Sequence, residues 1–232
     1  MLKNFGKFNF SSLKSSAFGS SQLGLSGFNF SPRLGLDLGT DRTRLWLQGQ
    51  GVVIDQPSVL ALNKKTGQVV AVGQDAAEME GRVGVKNSDL QLYRPFVEAK
   101  IYDAETAQAL LRVWLQQILG WRYLFSPVVM VSVPAASSQA SRQAVTEVLH
   151  DLGAREVYTM AQPLAAAIGA GVPIADTSGT LLCQLGAGVS EAALISLGSL
   201  VEFTSSNHAG GALDLKIQQA VQAQDQLTIS LS

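Results

Sequence analysis

The sequence predicts an α/β chain built around two sheet-centred units. Three observations carry this. Short apolar or alternating runs begin at Leu34 and are separated by Gly and polar turn residues. Two amphipathic helical patterns, 104–119 and 138–152, then bracket a buried-strand pattern, VVMVSVP at 128–134. Three further strand patterns follow from residue 180, after the chain has already alternated strand and helix.

In order, LGLDLG, TRLWLQG, GVVID, SVLALN and QVVAVG read as consecutive antiparallel strands. Ala107, Leu110, Leu111, Trp114, Leu115 and Ile118 recur at helical spacing, with Asp103 as the N-cap. The 138–152 helix turns Ala144, Val145, Val148, Leu149 and Leu152 to one side and stops at Gly153. EVYTM is a short strand, and Pro163 opens a small-residue helix. TLLCQLGAG, EAALISL and SLVEFTS are the later strands, and GGALDLKIQQAVQ starts a last helix. Trp114 and Trp121 are expected to pack in and at the edge of the core. Cys183, in an apolar strand, is expected to be an inert buried thiol.

Composition excludes several functions. The 232 residues are 47% hydrophobic and 15% charged, which is globular rather than disordered. The net charge of -1 gives no chain-wide basic footprint, so no nucleic-acid partner is expected. One cysteine allows no internal disulfide and no thiolate zinc cluster. No apolar run reaches 18 residues, and no apolar leader with a cleavage site opens the chain. Residues 1–33 stand apart. They are rich in Ser, Gly and Phe, repeat FNFS, contain no acid and carry +4, against -5 for the remainder. We read them as a flexible basic tail.

Two stretches look alike in the two units. Asp37-Leu38-Gly39-Thr40 ends the first strand of one, and Gln184-Leu185-Gly186-Ala187-Gly188 ends the first strand of the other. Each reads as a tight hairpin with Gly at its tip, where backbone N–H groups can cradle an anion. Either hairpin alone is ordinary turn chemistry. Their repetition points to a clamp for a polyphosphate, with Asp37 placed to hold Mg²⁺ through water.

These motifs, together with VVAVGQDA, GAREVYTMAQPLAAAIGAGVP and SGTLLCQLGAGVSEAALISLGSLV, resemble the MreB-type bacterial actins from about Leu34 to about Val221. The resemblance implies an actin-like ATPase fold of two RNase H-like lobes, with ATP and Mg²⁺ in the cleft. It divides the chain into the tail (1–33), a complete first lobe with a small inserted subdomain (34–170) and the start of a second lobe (171–232). It implies a bacterial cell-shape role and self-association or co-assembly with an actin-like filament. The location implied is cytoplasmic, peripheral at the inner face of the plasma membrane, where residues 1–33 would touch anionic lipid.

The resemblance also assigns residues. Asp37, Gly39 and Thr40 match the first phosphate loop. Asp41 and Arg42 replace small and amide residues, and Arg42 either meets phosphate or caps the hairpin. Gln162 stands where a glutamate usually positions the attacking water; it either keeps that catalytic place or is an N-cap-like residue before Pro163. Gly186, Ala187, Gly188 and Ser190 match the second phosphate loop, and Gly210 and Gly211 a later Gly pair. Gln184 and Ala212 replace aspartates, Ala187 a glycine, and Val189 and Ser190 a pair of threonines. These departures imply weak Mg²⁺-nucleotide binding with slow or no hydrolysis, or a non-catalytic pseudo-ATPase interaction module. The family's remaining second-lobe segments lie later than residue 232, so the chain is expected to be a fragment or a short relative.

Overall fold

A computed structural model describes residues 31–80, 89–225 and 227. Residues 1–30, most of the basic tail, lie outside the described residues.

Six-residue alternation of buried and exposed positions builds the first hairpin, β1 (Arg33–Leu38) and β2 (Arg42–Leu47). β3 (Gly51–Pro57) continues it antiparallel. The five runs expected to pair in succession do not all do so. Pro57 ends the third strand, and β4 (Leu60–Asn63) pairs instead with β5 (Val69–Val72) in a separate small sheet. The break is held by buried hydroxyls. Thr43 Oγ1 and Ser58 Oγ lie 2.8 Å apart, and Ser58 donates to the Gly39 carbonyl at 2.7 Å. A four-residue helix, α1 (Gln74–Ala77), follows, and β6 (Leu90–Tyr93) completes the small sheet. β7 (Phe96–Val97) and β8 (Lys100–Ile101) form a two-residue ribbon.

α2 (Ala104–Leu119) starts where expected. The Asp103 carboxylate accepts from the Glu105 and Thr106 amides at 3.0 and 3.4 Å. A short 3-10 turn over Gly120–Phe125 leads to β9 (Val128–Val133). α3 (Gln139–Asp151) is capped by Ser138 and ends at Gly153, whose φ of +88° suits glycine. β10 (Glu156–Ala161) and α4 (Gln162–Gly169) complete this part. The main sheet runs β10-β9-β1-β2-β3, with β1, β9 and β10 parallel. Its core joins Leu34, Leu36, Leu45, Leu47, Val129 and Val131 to Leu110, Leu111, Trp114 and Leu115.

The later strands are β11 (Thr180–Leu185), β12 (Ser190–Ser196) and β13 (Ser199–Ser206), an antiparallel sheet followed by α5 (Gly210–Asp225). Here two expectations are corrected. Cys183 is exposed, because β11 is an edge strand whose alternate residues Leu181, Cys183 and Leu185 face outward. Trp121 lies beyond α2 and is 68% exposed, its ring edge-on to Phe125 at 5.6 Å. Trp114 is in the core as expected.

Candidate functional site

The two Gly hairpins share one construction. At Gly39 an added Cβ would strike the Arg42 carbonyl, and at Gly186 it would lie 2.7 Å from the Val189 carbonyl. In both turns the first glycine is therefore required by the backbone three residues on, not by a positive φ. Gly186 also donates to Val189 O at 2.9 Å. The hairpins meet at their tips: a Cβ on Gly188 would collide with the Thr40 hydroxyl and come within 3.0 Å of Glu98 Cα.

A cavity of about 350 Å³ lies at this junction. Asp37, Gly39, Thr40, Asp41 and Arg42 line it from the first hairpin, and Gly186, Ala187, Gly188 and Val189 from the second. Gln162, at the start of α4, and Gln184, on β11, also line it. Ser190, Gly210 and Gly211 are not on the lining. The Ser190 hydroxyl donates to His208 O at 3.1 Å. Gly210 and Gly211 donate to the Gly186 and Ala187 carbonyls at 3.0 and 2.9 Å, bracing the second hairpin from behind.

The structure gives Arg42 and Gln162 specific surroundings. Arg42 faces Asp55: its Nε meets Asp55 Oδ1 at 2.8 Å and its Nη2 donates to Asp55 O at 2.7 Å. That guanidinium holds the Asp55 carboxyl below its ordinary range; partial burial opposes this and Arg44 adds to it. Gln162 is not an N-cap. Ala161 holds that place, and Gln162 is the first residue of α4 and buried.

The Asp37 carboxylate is already engaged. Ser132 donates to Oδ1 at 2.9 Å, and Arg44 Nη1 lies 3.5 Å from Oδ2. Gln184 Oε1 is buried without a hydrogen-bond partner.

Some contributors gave no sequence signal. The Glu98-Ala99 turn holds two consecutive non-glycine residues at φ +52° and +53°. Ala99 N donates to Thr40 Oγ1 at 2.9 Å, which fixes the threonine at the cavity edge. Glu-Ala is not a turn pair, so only long-range packing places it. Beside the site, a larger groove of about 940 Å³ runs along the open face of the main sheet. Trp46, Met130 and Tyr158 lie partly exposed in it.

Comparison with known proteins places the chain. Residues 31–232 match the family described as MreB/Mbl protein. The cell shape-determining protein MreB of Escherichia coli (strain K12) is 36% identical over 187 residues, covering 78% of this chain and 53% of that protein. The cell shape-determining protein Mbl of Bacillus subtilis (strain 168) is 33% identical over 201 residues, covering 86% and 59%. The chain thus spans about half the length of the curated relatives it matches. Among solved structures, MreB5 of Spiroplasma citri bound to AMPPNP superposes with a TM-score of 0.79 at 31% identity, over 86% of this chain and 59% of that one. The MamK double helical filament superposes at 0.70 with 19% identity, over 86% and 62%, a likeness of fold. The fold is actin-like, and with a match running through nearly all the described residues the chain belongs to the MreB/Mbl family.

Proposed function

We propose that this chain is an MreB-type cytoskeletal protein serving bacterial cell shape, and that it holds ATP weakly in the cavity between the hairpins, with hydrolysis slow or absent. The observation that carries the reading is the meeting of two like-built Gly hairpins, Gly188 against Thr40, over a 350 Å³ cavity. The MreB and Mbl relatives are cell shape-determining proteins, and the MreB5 neighbour was crystallised with AMPPNP. Self-association or co-assembly with an actin-like filament belongs to the same proposal, as does a cytoplasmic place at the inner membrane face through residues 1–33.

The residues divide the work as follows. Backbone N–H groups of 39–42 and 187–189 cradle phosphate oxygens, and a Cβ at Gly188 would force the two hairpins apart at Thr40. The Gln162 amide orients a water but is a poor base, which limits turnover. Ala187 adds a Cβ and Val189 lacks a hydroxyl in the second hairpin, and both weaken the grip. Mg²⁺ held through water at Asp37 is the family expectation, but the donors fit it poorly. Both Asp37 oxygens have partners, Gln184 brings no charge, and the described residues gather no group of three His, Cys, Asp or Glu.

The second reading, a non-catalytic pseudo-ATPase interaction module, is favoured by Arg42 being held by Asp55 and by the apolar groove beside the cavity. Calorimetric titration with ATP tests the choice. Weak binding that Gly188→Val abolishes supports the cavity; heat of binding unchanged by Gly188→Val contradicts it.

A further inference from the structure

We propose that the Arg44 guanidinium takes the place of a divalent cation at this cavity, so that the chain binds the polyphosphate as the metal-free anion. The inference rests on the nucleotide reading above and deepens it.

Strand register makes the arrangement. Across the main sheet, Ser132 pairs with Asp37, Asp37 with Arg44, and Arg44 with Asp55. Those side chains therefore form a row on one face. Arg44 Nη1 lies 3.5 Å from Asp37 Oδ2, and its Nε 3.5 Å from Asp55 Oδ2. The guanidinium is set between two carboxylates by backbone pairing rather than by a chance rotamer. It lines both the small cavity and the adjoining groove, and its side chain remains 49% exposed.

Charge around the cavity fits this role. Its charged lining is Asp37, Asp41, Arg42 and Arg44, two of each sign. Mg²⁺ is bound through one or two carboxylates plus substrate phosphates and keeps several waters. Here Asp37 already faces the Arg44 guanidinium, and Gln184 on the same lining is neutral. A dication entering beside Asp37 meets the repulsion of Arg44 and finds Asp41 as the one further carboxylate on the lining. A guanidinium needs neither, and its remaining N–H donors match phosphate oxygens in a fork. Exposed Arg–Asp pairs alone contribute little, so Arg44 can exchange part of these contacts for an arriving phosphate without a large loss.

The test is ATP titration of the full chain in Mg²⁺ buffer and in EDTA, with thermal melting to confirm folding. The wild-type dissociation constants should agree within about threefold between the two buffers. Arg44→Leu should weaken binding in EDTA by about tenfold, and Arg44→Lys by less. The double variant Arg44→Leu/Gln184→Asp should become Mg²⁺-dependent. Wild-type binding tightened about tenfold or more by Mg²⁺ overturns the inference while leaving the nucleotide reading intact. Arg44→Leu that binds in EDTA like the wild type also overturns it. Absence of ATP binding in both buffers overturns the nucleotide reading and this inference together.

Discussion

Glu191 ties the second sheet to the first part of the chain. It is 3% exposed, and its Oε1 accepts from the Ala135 amide at 2.8 Å and the Ser205 hydroxyl at 2.7 Å, while Oε2 is buried without a partner. Glu191→Gln keeps an Oε1 acceptor, whereas Glu191→Ala strands a buried amide and a hydroxyl. The alanine variant should lose about 1–3 kcal/mol in urea unfolding, and the glutamine variant clearly less. Equal losses would mean that the charge, not the acceptor, matters. Asp55 gives a pH prediction. Its carboxyl titrates below its ordinary value of 3.8 in the folded chain, chiefly through Arg42. Its contribution is therefore full above the unfolded pKa and is lost as pH falls through the lower folded value. Both partners are well exposed, so the amount is at most about 1 kcal/mol. Asp55→Asn should flatten acid unfolding below about pH 4 relative to wild type. Sequence reading found the hairpin glycines because their spacing repeats. It passed over Glu191, Ser58 and Arg44, whose roles come from residues 56, 19 and 7 positions away.

Among the elements, α2 shows local and tertiary control acting together. Its cap and its apolar stripe were both readable, since Asp103 and Ala107 to Leu115 are local patterns. Asp103→Ala removes the two amide acceptor contacts and should cost about 1 kcal/mol. Leu110→Ala, fully buried against the main sheet, should cost about 2–5 kcal/mol. Urea midpoints of both variants check the order; a larger loss from the cap would contradict it. The short elements were not readable. β7 and β8 have two residues each, and α1 four, too short for any period to appear. The switch of β4 into its own sheet depends on Pro57 and the Thr43–Ser58 pair, and a run of strand-like sequence does not say which neighbour it joins.

At the scale of the molecule, the small second sheet has two edges, and both carry apolar residues. Leu181 and Leu185 on β11 are 69% and 85% exposed, and Val201 on β13 is 60% exposed. Such edges template further pairing. Sedimentation velocity should find concentration-dependent small oligomers; a lone monomer across the micromolar range would contradict this. No helix among the described residues is long and apolar enough to cross a membrane, which leaves β-barrels unaddressed. The proposed membrane contact falls to residues 1–33, whose Lys3, Lys7 and Lys14 contribute about 1 kcal/mol each at an anionic surface, Arg33 being the first residue of β1. Full chain, but not a version starting at Leu34, should pellet with anionic vesicles at low salt; equal pelleting would assign the affinity to the folded part.

The central claim is that two hairpins from different sheets grip one anion between them. Hydrogen exchange of the full chain with and without ATP tests it most directly. Amides at 39–42 and 187–189 should slow together when ATP is present. ATP-dependent slowing at only one hairpin, or in the groove around Trp46 and Tyr158 instead, would contradict it.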